Sequence, residues 1–145
     1  MSNLYTTGYQ GETINQFVVK LLDNNIQTII DVRQTPLSRK PGFSKSALVK
    51  KLHEYGIRYL HYRELGAPKK LRVYLYSTSD YTSFFDRYKV HASEYSDSIY
   101  DLVDLTRETN ACVLCFEKDH KYCHRKVLAD ILEEKFGTHL KVVHI

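Results

Sequence analysis

Residues 111–125 read ACVLCFEKDHKYCHR and combine a strand, a polar loop and the start of a helix. The run Ala111–Phe116 is short and apolar, which is typical of a strand that is covered on both faces. Beyond the loop, apolar residues from Val127 to Leu132 recur at the spacing of one buried helical face. A strand that leads directly into a helix predicts parallel strands, because a helical crossover is their usual connection.

The same alternation continues along the rest of the chain. Short apolar runs predict further strands at residues 4–7, 26–32, 57–62 and 140–145. Amphipathic segments predict helices at residues 14–22, 44–55, 81–88 and 95–108, whereas residues 63–79 show no clear period and are predicted to be irregular. We therefore expect a single three-layer α/β domain over residues 1–145, with a mostly parallel central sheet of about five strands and helices on both faces.

Composition restricts the class of protein. No segment approaches the roughly 18 apolar residues of a membrane span, and the first five residues lack the pattern of a secretory signal. The three cysteines all lie within residues 112–123, which is not the layout of a disulfide framework. We therefore expect reduced thiols, a cytoplasmic location, no membrane partner and no cofactor.

Polar residues follow the predicted strands at the point where each strand ends. Because the carboxyl ends of parallel strands share one edge, where ligands bind in open α/β sheets, these residues are expected to converge. They are, in chain order, Gly8, Tyr9, Asp31, Arg33, Glu64 and Glu117.

Cys123, His124 and Arg125 lie at the predicted start of the last helix. The free N–H groups and the dipole of a helix N-terminus favour an anion, and the Arg125 guanidinium matches a phosphate or a carboxylate. The same field lowers the pKa of a thiol, so Cys123 is a candidate nucleophile and His124 a candidate proton carrier. The alternative is that these residues only pack or cap the helix.

Neither of two possible metal sites is favoured. Cys112 and Cys115 are three residues apart on a strand and therefore point to opposite faces. A zinc site of Cys115, Cys123 and His124 lacks the paired spacing of established zinc ligands. We expect no bound metal.

Asp31 and Arg33 allow two interpretations. A carboxylate at the end of an apolar strand is costly to bury without a partner, and Arg33 follows on the same face, so the two could form an ion pair. The same groups also suit a site in which Asp31 is an acid or base and Arg33 orients an anion. Glu117 has the same two interpretations.

The N-terminal half is strongly basic. Residues 1–72 carry twelve Lys and Arg against five Asp and Glu, whereas residues 73–145 carry nine against twelve. Tyrosines lie among these cations, which include Arg39 and Lys40, and this mixture suits phosphates and stacked bases. The alternative is that the cations lie on ordinary solvated helix faces and that some tyrosines belong to the core.

Several short motifs occur in a characteristic order: Gly8 after the first strand, then residues 31–33, 38–43, 64–66 and 123–125, and finally residues 143–145. Their order and spacing resemble the bacterial and archaeal family named "domain of unknown function 488". The resemblance covers essentially the whole chain and implies one α/β domain, with a suggested link to nucleic-acid metabolism. Carried over to this chain, the family signature falls on Asp31, Arg33, Pro41, Gly42, Phe43, Glu64, Gly66, Cys123, His124 and Arg125. The first loop differs, because Gly8 is followed by Tyr9 and Gln10 where many relatives have histidine and serine.

The leading functional hypothesis is an enzyme that acts on a nucleotide or nucleic-acid substrate. Arg33 and Arg125 would hold phosphate, Asp31 or Glu117 would act as acid or base, and Cys123 or His124 would be the nucleophile or proton carrier. The alternative is a non-catalytic nucleic-acid-binding module that uses the basic, tyrosine-rich half. A third hypothesis, an adaptor domain, predicts no pocket beside Arg33 and Arg125.

Overall fold

Five parallel strands form one sheet. The computed structural model describes residues 2–145. The strands are β1 (Ser2–Gly8), β2 (Thr28–Asp31), β3 (Arg58–His61), β4 (Ala111–Cys115) and β5 (Leu140–His144). Their order across the sheet is β3-β2-β4-β1-β5. The predicted α/β class with a central sheet of about five strands is confirmed.

Six α-helices connect the strands. They are α1 (Ile14–Asp23), α2 (Lys45–Glu54), α3 (Lys69–Thr78), α4 (Tyr81–Ser93), α5 (Ser96–Glu108) and α6 (His124–Phe136). Short 3₁₀ turns lie at Arg63–Leu65 and His120–Tyr122. In residues 2–145, no helix is long and apolar enough to cross a bilayer.

The prediction for residues 63–79 was wrong. Helix α3 occupies Lys69–Thr78 and has Pro68 as its N-cap residue. None of the residues of α3 is fully buried, but Leu71 and Leu75, one turn apart, pack against the core from partly buried positions. Helix α4 also continues beyond the predicted end at Tyr88.

Local capping interactions define where α1 and α2 begin. At α1, the Thr13 side chain accepts from the Gln16 N–H at 3.2 Å and the Gln16 side chain accepts from the Thr13 N–H at 2.9 Å, which is a capping box. At α2, Ser44 is the N-cap residue, but its Oγ atom accepts from the Ser38 N–H and donates to the Ser38 carbonyl. Ser44 therefore fixes the loop that precedes α2.

Helices cover both faces of the sheet. On one face, α1 and α2 pack against alternate strand residues; this core includes Phe17, Leu21, Ile29, Leu48, Leu52, Cys112 and Leu114. On the other face, α4, α5 and α6 pack against the remaining strand residues; this core includes Ile30, Phe84, Leu102, Val113, Cys115 and Leu128. Cys112 and Cys115 thus lie on opposite faces, as predicted.

The connections create a crevice at the carboxyl edge of the sheet. The chain leaves β1 and β2 toward the face that α1 and α2 cover, and it leaves β4 toward α6 on the opposite face. Strand β4 lies between β1 and β2. Neighbouring connections therefore diverge on both sides of β4, which is the arrangement that forms ligand sites in open α/β sheets.

Candidate functional site

A pocket of about 290 Å³ opens at this edge beside β2 and β4. The buried side chains of Cys115, Cys123 and His124 form its inner end. The surrounding walls come from the loop after β2, from α3 and from the residues that follow β4. The remaining lining residues include Tyr9, Arg33, Gln34, Leu37, Arg72, Tyr76, Phe116, Glu117 and Tyr122.

Cys123 is the N-cap residue of α6, and its sulfur accepts from the Arg125 backbone N–H at 3.4 Å. The Cys115 Sγ atom lies 2.7 Å from the Cys123 Sγ atom. The Nδ1 atom of His124 lies 3.6 Å from the same sulfur. One sulfur therefore contacts a second thiol, an imidazole and the positive end of a helix.

A contact between Nε2 of His124 and a backbone carbonyl fixes the orientation of the imidazole ring. Nε2 lies 3.1 Å from the carbonyl oxygen of Val32, and a carbonyl oxygen only accepts hydrogen bonds. Nε2 therefore carries a proton, and Nδ1 faces Cys123. The ring also packs against Tyr88 with 5.1 Å between centroids, and the Tyr88 hydroxyl donates to the Leu65 carbonyl at 2.6 Å.

These contacts set the protonation states of the pair. Burial raises the pKa of Cys123, but the hydrogen bond from Cys115 and the charges of His124 and Arg125 lower it well below its usual value. Burial lowers the pKa of His124, but the charge of Cys123 outweighs burial and raises it. For Cys115, burial and the hydrogen bond to Cys123 raise the pKa well above its usual value. The favoured state is a Cys123 thiolate beside an imidazolium and a neutral Cys115 thiol.

Glu117 is half-buried beside this pair. Burial, followed by the charge of Cys123, raises its pKa to about 7. A carboxyl group that titrates near neutral pH suits general acid or base chemistry. A carboxylate oxygen of Glu117 and the sulfurs of Cys115 and Cys123 lie within 4.8 Å of one another.

These three ligand types could also hold a metal ion, but the distance between the sulfurs does not match. Two thiolates that share one zinc ion lie about 3.8 Å apart, given Zn–S bonds of about 2.3 Å and tetrahedral geometry. Cys115 and Cys123 are 2.7 Å apart, which is too close for two thiolates on one zinc ion.

Asp31 and Arg33 form a buried ion pair. Arg33 donates from Nε to Oδ1 at 2.9 Å and from Nη2 to Oδ2 at 2.8 Å. Nη1 donates to the Phe43 carbonyl at 2.6 Å, and the Tyr59 hydroxyl donates to Oδ2 of Asp31 at 2.5 Å. Asp31 is fully buried, whereas Arg33 reaches the pocket wall. The structure therefore shows the ion pair, and a role of Asp31 as an acid or base stays a prediction.

Arg125 points into the protein and lies outside the pocket lining. The side chain is 1% exposed, donates from Nη1 to Thr6 Oγ1 at 2.9 Å and donates from Nη2 to the Glu117 carbonyl at 2.5 Å. Its guanidinium therefore ties α6 to β1 and to the loop after β4. Gly8 meets the same loop, because a Cβ atom at Gly8 would lie 1.7 Å from the Glu117 carbonyl oxygen.

The sequence profile of the family described as "Domain of unknown function DUF488" matches residues 13–132. The chain belongs to the DUF488 family. The matched region spans most of the chain, including the cluster from Asp31 to Arg125, and confirms the resemblance that the motifs indicated. No curated protein and no solved structure matches the chain.

Not every residue of the predicted DUF488 signature lies at the pocket. Cys123 and His124 line it with Arg33 and Glu117, whereas Glu64 does not. The Glu64 carboxylate accepts from the Ser98 hydroxyl at 2.7 Å, and its carbonyl oxygen contacts Nε2 of His91 at 2.7 Å. Glu64 therefore joins the 3₁₀ turn after β3 to α4 and α5.

The other predicted binding residues lie at or near the pocket entrance. Tyr9 lines the pocket and stacks on Phe43 with 4.3 Å between ring centroids. Arg39 is exposed on the loop before α2, and Lys40 lies over the Phe43 ring at 6.0 Å. Neither cation lines the pocket.

Sequence reasoning missed Arg72, which is a pocket residue on α3. Its Nε atom donates to the Ala67 carbonyl at 3.2 Å, and Nη2 donates to Gln34 Oε1 at 2.9 Å. Tyr76 lies one turn further along α3 and also lines the pocket. The spacing of Arg72 and Tyr76 is the signal in the sequence, but it has meaning only once residues 69–78 are known to be helical.

Exposed apolar side chains surround the pocket mouth. These side chains are Leu37, Tyr76, Phe116 and Tyr122, and each is more than two-fifths exposed. Clustered exposed apolar groups around a pocket with a few polar residues are typical of a ligand site. We call these four residues the apolar rim.

Proposed function

We propose that the chain is an enzyme that acts on a nucleotide or on another phosphate-containing part of a nucleic acid, with Cys123 as nucleophile. The observation that carries the proposal is the Cys123 sulfur at the inner end of the pocket, 3.6 Å from Nδ1 of His124. A thiol beside an imidazole and at a helix N-terminus has the two features that activate a cysteine nucleophile.

Each side chain at the inner end of the pocket carries out a different step of the proposed reaction. The Cys123 thiolate attacks an electrophilic phosphorus or carbon of the substrate, so that a bond to sulfur forms while the bond to the leaving oxygen breaks. The His124 imidazolium donates its Nδ1 proton to that oxygen. Glu117 then takes a proton from the water that cleaves the bond to sulfur, which releases the product and restores the thiolate.

The pocket walls favour a substrate with an anionic part and a flat apolar part. Arg72 uses Nε and Nη2 within the protein, which leaves Nη1 without a hydrogen bond to another residue in the range 2–145 and free for a phosphate oxygen. Arg33 lies on the same wall, but Asp31 balances its charge. We therefore assign the main phosphate contact to Arg72 and base stacking to Tyr76 and Tyr122.

The size of the pocket favours a single nucleotide. A volume of about 290 Å³ lies at the lower end of the range for small-molecule sites. A nucleic-acid strand would place one terminal nucleotide inside and would pass over the apolar rim.

Alkylation of the native protein with iodoacetamide tests the proposal. Mass spectrometry of the modified peptides should show that Cys123 reacts faster than Cys115 and Cys112 at pH 6.5. Adenosine monophosphate should slow this reaction more than adenosine or inorganic phosphate does, because it alone carries both parts of the ligand. A Cys123 that reacts like an ordinary thiol, without protection by any of the three compounds, contradicts the proposal.

Two arginine variants identify the residue that binds the phosphate. Arg72→Gln should abolish protection by adenosine monophosphate, whereas Arg39→Gln should leave it unchanged because Arg39 lies outside the pocket lining. The reverse result would contradict the assignment to Arg72.

The exposed cations of the basic half favour a second candidate, a non-catalytic nucleic-acid-binding module. These cations include Arg39, Lys45, Lys50, Lys69 and Lys70. None of them forms an ion pair within residues 2–145. Such a module should bind single- or double-stranded DNA with an affinity that falls steeply with salt and that a double Arg39→Gln, Lys40→Gln variant weakens. Undetectable binding to both forms at low salt would exclude it.

A further inference from the structure

We propose that Cys115 and Cys123 form a redox-active pair in which Cys115 converts an oxidised Cys123 into an intramolecular disulfide. The proposal uses the same Cys123 sulfur as the proposed function, but it assigns a separate two-electron reaction and gives Cys115 its own role. The starting observation is that two free cysteines, eight positions apart, hold their sulfurs 2.7 Å from each other.

The fold fixes both members of the pair. Cys115 is the last residue of β4, in the middle of the sheet, and Cys123 begins α6. Arg125 holds the intervening loop, because its guanidinium donates to the carbonyl oxygens of Glu117 and Lys118. The two sulfurs are therefore placed in contact by rigid elements and by a clamped connection.

The surroundings of the two sulfurs assign different roles to them. Cys123 has His124 and the α6 N-terminus beside it, which suits the attacking thiolate. Cys115 is fully buried at the end of β4, within the apolar core on this face of the sheet, and has no imidazole beside it, which suits a thiol that attacks second. Redox-sensing cysteines commonly have a resolving cysteine of this kind next to them.

The chemistry needs a hydroperoxide as oxidant. The Cys123 thiolate attacks the terminal peroxide oxygen, the O–O bond breaks, and the leaving alkoxide or hydroxide takes a proton to give an alcohol or water. The resulting Cys123 sulfenic acid is attacked by the Cys115 sulfur, which releases water and forms the disulfide. The two thiols lose two electrons and the peroxide gains them; a dithiol reductant reverses the reaction.

The pocket gives an oxidant access to Cys115 and Cys123 but not to the third cysteine. Cys115 and Cys123 both line the pocket, whereas Cys112 is buried on the opposite face of the sheet among the α1 and α2 side chains. A small peroxide therefore reaches the pair, and Cys112 serves as an internal control.

The disulfide has a consequence for the proposed enzyme. A Cys123 sulfur bonded to Cys115 is no longer a nucleophile, so activity would require reducing conditions. The bond also protects Cys123 from further oxidation to sulfinic acid, which is generally irreversible.

Hydrogen peroxide is the probe for this proposal. The fully reduced protein is treated with an equimolar amount, and free thiols are then counted after denaturation. We expect three thiols before treatment and one afterwards, with peptide mapping that shows a Cys115–Cys123 disulfide, the remaining thiol on Cys112, and recovery of all three thiols with dithiothreitol.

Variants separate this reaction from the proposed function. Cys115→Ser should form no disulfide and should accumulate a sulfenic acid on Cys123 that dimedone traps; because the contact that lowers the pKa of Cys123 is altered, alkylation of Cys123 should be slower than in the unmodified chain but still faster than that of Cys112. Cys112→Ala should form the disulfide as the unmodified chain does. The wild-type mapping needs no variant, so a folding defect in Cys115→Ser does not obscure the result.

Three results would overturn the inference. The first is a wild-type protein that keeps three thiols after treatment with peroxide. The second is a stable dimedone adduct at Cys123 although Cys115 is present. The third is a stoichiometric zinc ion in the purified protein that peroxide releases, because the pair would then be a metal site.

Discussion

Nε2 of His124 donates a hydrogen bond to the carbonyl oxygen of Val32 across 3.1 Å, and this contact turns Nδ1 toward Cys123. Val32 directly follows β2, whereas His124 begins α6, so the hydrogen bond joins two edges of the crevice. It also requires a proton on Nε2, because only a protonated ring nitrogen can donate to a carbonyl. A backbone carbonyl at the edge of the sheet therefore holds the His124 imidazole with Nδ1 facing the Cys123 sulfur.

Replacement of His124 by Gln should reduce the reactivity of Cys123. The variant removes the cation that stabilises the thiolate, so the kinetic pKa for alkylation should rise. Each unit of that rise lowers the rate by about tenfold at a pH below the pKa. Iodoacetamide rates measured between pH 5 and 9 provide the profile. His53→Gln, on the exposed side of α2, is the matched control and should leave the profile unchanged.

Glu117→Gln should alter the dependence of stability on pH. Burial and the charge of Cys123 raise the pKa of Glu117 from about 4.5 to about 7 in the folded state. The folded state therefore binds more protons between these values, and stability contributed by this group is lost as the pH rises through about 7. Urea unfolding at pH 5, 7 and 8.5 should show a smaller alkaline loss in the variant. Equal losses in both proteins, or the same change in the exposed control Glu133→Gln, would contradict the assignment.

The sequence was sufficient for most of the fold. The capping box at Thr13 and the apolar runs around Ile29 and Val113 are local signals, and each lies in the predicted element. Helix α3 was missed because its apolar face is short, with only Leu71 and Leu75 packed against the core from partly buried positions. The parallel direction of the strands was predicted, but their order across the sheet could not be, since pairing depends on contacts between distant residues.

The candidate site was predictable only in part. The rule that strand ends converge places Glu117 and Cys123 in one pocket with Arg33. It does not reveal where a long side chain points: Arg125 turns inward to protein oxygens, whereas Arg72 reaches the pocket from a helix that was not predicted. The direction in which a side chain points depends on packing in the folded chain, so the periodicity of the sequence cannot predict it.

Gly8→Ala should be strongly destabilising. An added Cβ atom would lie 1.7 Å from the carbonyl oxygen of Glu117, so the loop after β4 would have to move. We expect a loss of about 3 kcal/mol or more in the free energy of unfolding. Gly11→Ala is the matched control, because φ at Gly11 is +83° but nothing lies within 4 Å of the added atom. That variant should lose only about 1 kcal/mol, and equal losses would contradict the close-approach explanation.

Arg125→Met should destabilise the protein and should also disturb the pocket. The change leaves Thr6 Oγ1 and the Glu117 carbonyl without their buried donor, which typically costs about 2–4 kcal/mol. Chemical denaturation measures this loss, and the alkylation rate of Cys123 reports the change in the loop. Arg107→Met is the control, since Arg107 is exposed and forms only a surface ion pair with Asp104. Comparable losses in the two variants would refute a clamping role for Arg125.

His144 should make the protein less stable in acid. Thr6 Oγ1 accepts from Arg125 and lies 2.5 Å from Nδ1 of His144, and the His144 ring stacks on His120 with 3.6 Å between centroids. Burial, followed by the charges of His120 and Arg125, lowers the pKa of His144 from about 6.5 to about 4.

Between these two pH values the unfolded chain binds more protons at His144 than the folded chain does. The stabilising contribution of this group is therefore complete above about pH 6.5 and is lost as the pH falls through about 4. His144→Gln should weaken the dependence on pH in that window, whereas His139→Gln, at an exposed position before β5, should not. Thermal unfolding at pH 7, 5.5 and 4.5 compares the three proteins. An acid-induced fall in Tm that is as large in His144→Gln as in the wild type would show that burial and the neighbouring charges do not lower the pKa of His144 in the folded protein.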